Sequence, residues 1–236
     1  MRALIDADIL VYRVGFTTMD TPENIAMYRM DDMIGGILKF LNTNEYTCYL
    51  TSTDHSNFRY DIHPEYKANR KTSKPTHYDL LRDFLCNCHG AELVYGQEAD
   101  DALAQAQIHP ETVIVSIDKD LDQIPGLHFN FVKGILYEVS VLEARRHFWK
   151  QCLTGDPTDN IPGIRGLGPV RANKIIGQLT TDIDMYDTCV DEYKKAYGDS
   201  GIDLLERNAQ LLHLRPKQGI TWVNPYAITL EPIVQV

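Results

Sequence analysis

Thr112-Val113-Ile114-Val115-Ser116-Ile117-Asp118 decides the fold of this chain, because it has the pattern of a buried strand that ends at a carboxylate. An uninterrupted run rich in β-branched residues is typical of a strand covered on both faces, as in a parallel sheet. Shorter runs precede Asp6, Asp54 and Glu98, over residues 3–5, 46–51 and 91–95. Ligands of open parallel sheets bind beyond the carboxyl ends of the strands, so these carboxylates are expected to converge.

Helical patterns separate the strands. Apolar residues recur at helical spacing over residues 24–41, Thr76 and Asp79 open a second helix, and an alanine-rich helix covers residues 99–107. The alternation predicts an α/β domain over residues 1–140, with a mostly parallel central sheet flanked by helices. Four further helical patterns, over residues 141–153, 169–178, 183–197 and 202–214, predict a helical subdomain over residues 141–215. Residues 216–236 carry three prolines and are expected to form an extended tail packed on the body.

The composition is that of a globular protein. The 236 residues are 44% hydrophobic, which allows a sizeable core. No apolar run approaches the length of a membrane span, and the chain reaches Asp6 too soon for a signal peptide, so we expect a cytoplasmic protein without a membrane partner. Five cysteines without a CxxC pair predict free thiols in a reducing compartment.

The net charge of −10 argues at first against a polyanionic partner. However, ten of the 33 acidic residues belong to acidic motifs, and the remaining 23 are balanced by 23 Lys and Arg. Divalent cations bound at those motifs would offset part of their charge. The total charge therefore does not exclude nucleic acid as a substrate.

Three acidic motifs carry the candidate chemistry. Glu98-Ala-Asp100-Asp101 lies at a helix N-terminus, where the alternative is ordinary stabilisation by the helix dipole. Asp118-Lys-Asp120-Leu-Asp122 is not an EF-hand loop, because glutamine and phenylalanine stand where glycine and glutamate are needed; a strand-end pair fits better, with Asp122 turned away or capping the next turn. Asp156 and Asp159 form the third motif. Such crowding raises carboxylate pKa values and destabilises a fold that lacks cations, which favours a metal site.

A basic segment, Tyr66-Lys-Ala-Asn-Arg-Lys-Thr-Ser-Lys74, follows the second strand. Taken alone, such a run is typical of solvated surface. Its place after a strand-end carboxylate favours a functional interpretation, in which Lys67 and Arg70 share a helix face above the acidic site and neutralise a scissile phosphate. Tyr66 is then expected to stack on a base.

Gly163-Ile-Arg-Gly166-Leu-Gly168-Pro169 is a glycine hairpin that leads into a helix. Its glycines let the backbone turn tightly and approach a phosphate, and Pro169 suits the first helical turn. Asp156 and Asp159 would repel that phosphate unless divalent metal lies between them and a nucleic acid. The pattern therefore indicates metal-dependent phosphodiester chemistry.

Taken in order, these motifs resemble the flap endonuclease and 5′-to-3′ exonuclease family, especially its compact bacteriophage and bacterial members. The resemblance covers residues 4–178. Residues 4–13 are similar to the opening motif, residues 65–70 to the base of a helical arch that would span about 55–90, and the acidic motifs to the family's metal ligands. Ala7 replaces the usual glycine, and Asp8 adds a carboxylate that is a ligand, an acceptor behind the ligands or neither.

The resemblance implies a PIN-like catalytic domain, a helix-hairpin DNA-binding region and a two-metal mechanism. The implied ligands are Asp6, Asp54, Glu98, Asp100 and Asp101 for one metal cluster, and Asp118, Asp120, Asp156 and Asp159 for the other. Lys67, Arg70 and Asp118 are the implied catalytic residues. The implied DNA contacts are Arg13, Tyr66, Lys67, Arg70, Lys71, Lys74, Gly163, Gly166, Gly168, Arg171 and Lys174.

The same resemblance implies two or more Mg²⁺ ions, for which Mn²⁺ substitutes, and a potassium ion at the hairpin. The implied substrate is double-stranded or branched DNA with a 5′ end or a 5′ flap, cleaved during replication or repair. We expect a monomer in the cytoplasm of a bacterial cell or a phage-infected host.

Two other functions stay open at this point. A PIN-like single-strand ribonuclease shares the carboxylate-lined sheet, but such domains generally lack a hairpin like that of residues 163–178. A non-catalytic DNA-junction binder is expected to lose some metal carboxylates, whereas this sequence retains those that the family pattern requires. A competition assay between single-stranded RNA and branched DNA distinguishes the ribonuclease from a DNA nuclease. Metal-dependent turnover distinguishes a nuclease from the non-catalytic binder.

Overall fold

A six-stranded sheet forms the centre of the protein, whose computed structural model describes residues 1–70 and 73–228. The strands are β1 (Arg2–Asp6), β2 (Tyr46–Thr51), β3 (Glu92–Val94), β4 (Thr112–Val115), β5 (Gly126–Asn130) and β6 (Ile135–Val139). They lie in the order β3-β2-β1-β4-β5-β6; β1 to β5 run parallel, and β6 pairs antiparallel with β5. The predicted α/β fold with a mostly parallel sheet is confirmed.

The strand order reverses between β1 and β4. From β1 the chain moves outward through β2 to β3, and it then returns to β4 on the other side of β1 before continuing to β5. Such a reversal leaves a crevice beyond the carboxyl ends of the two central strands, which is where open α/β sheets bind ligands. Asp6 ends β1 and Asp118 follows β4, so both lie at this crevice.

Ten helices complete the described part of the chain. They are α1 (Ala7–Thr17), α2 (Glu23–Leu41), α3 (Arg59–Ile62), α4 (Tyr78–His89), α5 (Ala99–Ala106), α6 (Val141–Thr154), α7 (Pro169–Ile176), α8 (Asp182–Tyr197), α9 (Gly201–Leu212) and α10 (Pro225–Ile228). None of the helices within residues 1–70 and 73–228 combines the length and apolar character of a membrane span.

Three clusters of buried side chains hold these elements together. One face of the sheet packs against α1, α2 and α4, and the other face packs against α5. A separate cluster lies among α6, α7, α8 and α9, centred on Trp149 and Tyr193. Tyr66 belongs to this helical cluster although it lies far earlier in the chain, within the predicted catalytic domain. The domain boundary at residue 140 stays a prediction.

Local signals explain the ends of several helices. Ser140 and Glu143 form a reciprocal capping box at the start of α6, and the Thr181 hydroxyl accepts the Asp184 N–H at the start of α8. Gly168 and Pro169 start α7 as the hairpin pattern predicts. The predicted helix bounds in this region therefore differ from the observed ones by at most two residues at either end.

The structure corrects other expectations. Helix α1 and the β5–β6 hairpin were not predicted. Within the predicted arch region, about 55–90, the described residues form α3, turns and α4, and the arch itself stays a prediction. The predicted extended tail contains the short helix α10, and its residues 229–236 lie outside the described residues. Trp222 packs edge-on against Trp149, with ring centroids 6.2 Å apart, so the start of the tail does lie on the body.

Candidate active site

Two central carboxylates are fixed by the backbone that follows β1 and β4. Asp6 caps α1 by accepting the Ile9 N–H at 3.3 Å, and its other oxygen accepts the Ser116 hydroxyl at 2.7 Å. Ser116 in turn accepts the Asp118 N–H at 3.0 Å. Ser116 therefore connects the ends of both strands, and the sequence motifs do not reveal this role because a serine at a strand end is common.

Asp120 and Asp156 extend the acidic surface toward the helical subdomain. Asp120 accepts the side-chain amide of Gln151 at 2.6 Å, and its backbone N–H donates to Asp118 at 2.9 Å. Asp156 accepts the Thr158 N–H at 2.8 Å. These hydrogen bonds orient the carboxylates without neutralising them.

Four of these carboxyl groups have raised pKa values. Burial raises the pKa of Asp6 to about 7, with a further contribution from the negative charge of Asp8. Burial and then Asp118 raise the pKa of Asp120 to about 7. Burial also raises the pKa of Asp156, and raises that of Asp100 well above its usual value, together with the charge of Asp6. The ionised forms of these groups need positive charge nearby.

The carboxylate oxygens fit a hard divalent cation in their chemistry. Across residues 1–70 and 73–228, however, no three Asp, Glu, His or Cys side chains lie close enough together to enclose an ion. Asp118 is exposed, whereas Asp6 is only 2% exposed. An ion held by these groups would complete its coordination with water and substrate oxygens.

Glu98 and Asp159 differ from this group, because cations already neutralise them. Lys67 Nζ forms an ion pair with Glu98 and lies 3.7 Å from Asp159. Arg70 Nε donates to Asp159 at 3.0 Å, and the Tyr66 hydroxyl lies 2.7 Å from Asp159 and 3.1 Å from Glu98. Burial raises the pKa of Glu98, but Lys67 and Arg59 outweigh burial and hold the pKa below its usual value.

Two predictions about this basic segment are wrong. Tyr66 is only 3% exposed and packs edge-on against Tyr60, so its ring has no free face for a base to stack on. Lys67 and Arg70 do not share a helix face, because α3 ends at Ile62 and Lys67 adopts a left-handed φ of 59°. Residues 67–70 form a turn in which the Arg70 N–H donates to the Lys67 carbonyl at 3.0 Å. This turn and their common partner Asp159 bring the two cations together.

Asp101 does not line the cleft that Asp6, Asp100 and Asp118 share, which corrects its predicted role as a metal ligand. It is fully buried, and both of its oxygens are occupied by the guanidinium of Arg59, at 2.6 and 3.1 Å. It also accepts the backbone N–H groups of Glu98 and Arg215, at 3.1 and 3.0 Å. A carboxylate with this many donors has no lone pair directed at a metal.

Asp54 and Asp8 lie in different surroundings. Asp54 is exposed on the loop after β2 and accepts the Ser56 N–H at 3.1 Å. Asp8 lines the same cleft as Asp6, Asp100 and Asp118, where it accepts the Thr51 N–H at 2.9 Å and pairs with Arg82 at 2.9 Å. Asp54 is not among the described residues that line this cleft, and its role as a metal ligand stays a prediction.

The cleft has a volume of about 380 Å³ and opens onto a second cleft of about 340 Å³. Arg13, Lys67 and Arg70 line the first cleft together with the central carboxylates. Lys74 lines the second, with its ammonium 4.2 Å from the ring centroid of Tyr78. Lys71, predicted to contact DNA, lies outside the described residues.

The glycine hairpin lies directly beyond Asp159. Strands β7 (Gly155–Asp156) and β8 (Ile161–Pro162) pair so closely that a Cβ on Gly155 would lie 2.2 Å from the Gly163 nitrogen. Gly166 adopts a left-handed φ of 77°, and Gly168 precedes α7. Arg171 and Lys174 are exposed on α7 beside Gly168, around a cavity of about 420 Å³. The hairpin and the exposed cations thus share one surface.

Comparison with known proteins decides the family. The model of the 5′-3′ exonuclease, N-terminal resolvase-like domain, matches residues 1–148. The chain belongs to this 5′-3′ exonuclease family. Thermostable DNA polymerase I of Thermus caldophilus is 26% identical over 198 residues, 73% of the chain and 23% of the polymerase. Flap endonuclease Xni of Shewanella baltica is 30% identical over 141 residues, 52% of the chain and 53% of that protein.

The chain thus spans only about a quarter to a half of the length of these two curated relatives. Solved structures match more completely. The D15 protein of bacteriophage T5, crystallised with metal ions, superposes with a TM-score of 0.70 at 20% identity, covering 91% of the chain and 89% of that protein. A D15 flap endonuclease complex with DNA and metal ions gives a TM-score of 0.69. The likeness shows a shared PIN-like fold.

Proposed function

We infer that this chain is a divalent-metal-dependent 5′ nuclease that hydrolyses phosphodiesters of DNA at duplex 5′ ends or 5′ flaps. One observation carries the proposal: a single cleft in which Asp6, Asp100 and Asp118 face Lys67 and Arg70. Carboxylates short of positive charge suit divalent cations, and Lys and Arg suit phosphate. Membership of the 5′-3′ exonuclease family supports the proposal, as does the related T5 protein solved with DNA and metal ions.

Asp6 and Asp100 would hold metal in the cleft, Asp120 and Asp156 would hold it beside the cleft, and Asp118 would be shared between them. Burial and then the charges of Asp6 and Asp118 raise the pKa of Asp100, whereas burial and then the charges of Asp118 and Asp156 raise that of Asp120. Metal at these groups supplies an activated water and stabilises negative charge on the reacting phosphate. We propose Mg²⁺ as the natural ion, because it prefers hard carboxylate oxygens and usually keeps several water ligands.

Lys67 and Arg70 would neutralise the scissile phosphate. Both cations are paired with Glu98 or Asp159, so a phosphate has to compete with these carboxylates or share the cations with them. Arg13 lies in the same cleft and would contact the strand beside the cut. Lys74, in the neighbouring cleft, would contact the backbone farther along.

The hairpin would hold the duplex away from the cut. Gly166 and Gly168 carry no side chain that could block a phosphate, and Arg171 and Lys174 add positive charge beside them. Gly163 would contact the duplex through its backbone only, because its side-chain position is filled by the backbone of Thr154. We propose that a potassium ion binds the backbone carbonyls of this hairpin and that the protein acts as a monomer. A hairpin of this kind favours a duplex or branched DNA substrate over single-stranded RNA.

The test uses a 5′-labelled flap, a blunt duplex and a nicked duplex, each incubated with Mg²⁺ and with chelator. Asp118→Asn is expected to lower cleavage by at least about 100-fold. Asp122→Asn is the matched control, because Asp122 accepts the Tyr137 hydroxyl at 2.8 Å and does not line the cleft among the described residues. Undiminished cleavage by Asp118→Asn, or binding of all three substrates without metal-dependent turnover, would refute the proposal.

A further inference from the structure

Residues 63–70 are fastened to the turn 157–160, which joins β7 to β8. His63 Nε2 donates to the Asn160 carbonyl at 3.1 Å, and the Asn160 side-chain amide donates to the Glu65 carbonyl at 2.9 Å. The Lys67 N–H donates to the Asp159 carbonyl at 3.0 Å. The segment that carries the phosphate-binding cations is therefore attached to the turn that leads directly into the glycine hairpin.

Asp159 lies at the centre of this attachment. It is 9% exposed, and each of its oxygens has a side-chain donor from the basic segment. Oδ1 accepts Arg70 Nε at 3.0 Å, and Oδ2 accepts the Tyr66 hydroxyl at 2.7 Å with Lys67 Nζ 3.7 Å away. A cation entering here would have to displace a guanidinium and a phenol.

Asp156 provides the contrast within the same turn. Its Oδ1 accepts the Thr158 N–H at 2.8 Å, so its partner is a backbone amide and not a cation. It faces the acidic surface that includes Asp120. The two aspartates of this motif are therefore built into different surroundings, although only three residues separate them.

We propose that Asp159 is a positioning residue for Lys67 and Arg70 and not a metal ligand. The inference rests on the proposed nuclease function, because these cations need a phosphate to act on. Asp159 holds Arg70 and Lys67 at the cleft and attaches them to the duplex-binding hairpin. Engagement of the duplex by the hairpin then sets where the cations meet the scissile phosphate.

The test compares Asp159→Asn with Asp156→Asn, which removes the same charge from the same turn. Tyr66→Phe is the third variant, because it deletes the hydroxyl that lies 2.7 Å from Asp159 and 3.1 Å from Glu98 without changing the ring that packs in the core. Each variant is checked for folding by circular dichroism. Mn²⁺ binding to the DNA-free protein is measured by calorimetry, and kcat and KM are measured on a nicked 5′-flap duplex.

A positioning role predicts that Asp159→Asn keeps Mn²⁺ affinity within about twofold of wild type while kcat falls by about 100-fold. Tyr66→Phe is expected to lower kcat about tenfold without a change in Mn²⁺ affinity, and Asp156→Asn to weaken Mn²⁺ binding about tenfold or more. The inference is overturned if Asp159→Asn weakens Mn²⁺ binding as much as Asp156→Asn does. It is also overturned if Tyr66→Phe tightens Mn²⁺ binding, as expected when a ligand is released from a competing donor.

Failure of the proposed function gives a different pattern. If the wild-type protein cleaves none of the DNA substrates, the nuclease proposal fails, and the Mn²⁺ isotherms alone still decide whether Asp159 is a ligand. If Asp159→Asn does not fold, Tyr66→Phe carries the test, since a ligand role for Asp159 and a positioning role predict different changes in its Mn²⁺ affinity.

Discussion

Removing either partner of the Arg59–Asp101 pair is expected to destabilise the whole protein without removing a metal ligand. Arg59 is 2% exposed and Asp101 is fully buried. Besides Asp101, Arg59 donates to the Leu211 carbonyl at 2.8 Å and approaches the His213 carbonyl at 3.4 Å. Either Arg59→Met or Asp101→Asn leaves one buried charge without its partner, which costs about 3–5 kcal/mol. The double variant is expected to lose less than the sum, because no uncompensated charge remains.

Urea and thermal unfolding of the metal-free protein measure this loss. A chain of this size loses about 2–4 °C in Tm per kcal/mol, so each single variant is expected to unfold about 6–20 °C below wild type. Mn²⁺ affinity of the Asp101→Asn protein, measured at a temperature where it is folded, should stay close to that of wild type. A Tm within about 2 °C of wild type combined with weaker Mn²⁺ binding would show that Asp101 is a ligand after all, and the reasoning would be refuted.

Three other perturbations test separate parts of the structure. The pKa of Asp120 is about 7 in the folded state against about 3.9 unfolded, so the native state holds extra protons between these values and metal-free stability falls as pH rises from about 4 to 7. Tm should be lower at pH 8 than at pH 5, and Asp120→Asn should reduce this difference without abolishing it, because the pKa of Asp6 is also raised to about 7. A flat wild-type profile would contradict this prediction. Gly155→Ala places its Cβ 2.2 Å from the Gly163 nitrogen at a φ of 67°, so the free energy of unfolding measured in urea is expected to fall by several kcal/mol. An unchanged urea midpoint would show that the β7–β8 turn can open to admit the methyl group. Arg70→Ala should lower kcat about 100-fold with little change in duplex affinity. Arg171→Ala should weaken duplex binding and reduce its salt dependence while kcat stays unchanged, and the opposite result for the two variants would show that their roles are exchanged.

The sequence predicts the sheet well because its strands carry their own signal. The buried run before Asp118 and the apolar residues before Asp6 are long enough to be recognised without knowing their partners. The β5–β6 hairpin lacks that signal, since Ile135 and Leu136 are exposed at the edge of the sheet and β5 begins at a glycine. Helix α1 begins directly after β1, with Asp6 as both the last strand residue and the N-cap, so no turn residues mark its start in the sequence.

The candidate site is only partly predictable, because carboxylates of the same motif point in different directions. Asp100 and Asp101 are neighbours in sequence, yet successive residues of a helix lie on different faces, and only Asp100 lines the cleft. Asp101 is turned toward Arg59, which lies about forty positions earlier in the sequence. The spacing of residues within a motif does not predict such long-range partners. For the same reason it does not predict that Asp159 meets Arg70 while Asp156 meets only a local backbone N–H.

The position of Tyr66 bears on how this protein can be divided. The family match ends at residue 148, in the middle of α6, which suggests that residues 1–148 could be produced alone. Tyr66, however, completes the core formed by α6 to α9, and Arg59 donates to a carbonyl of α9. A chain ending at residue 148 would therefore expose an aromatic side chain and leave a buried guanidinium without two of its acceptors. The sheet and the helices α6 to α9 therefore have to be produced and redesigned together. Any other helical region fused to the sheet would need a pocket that buries Tyr66.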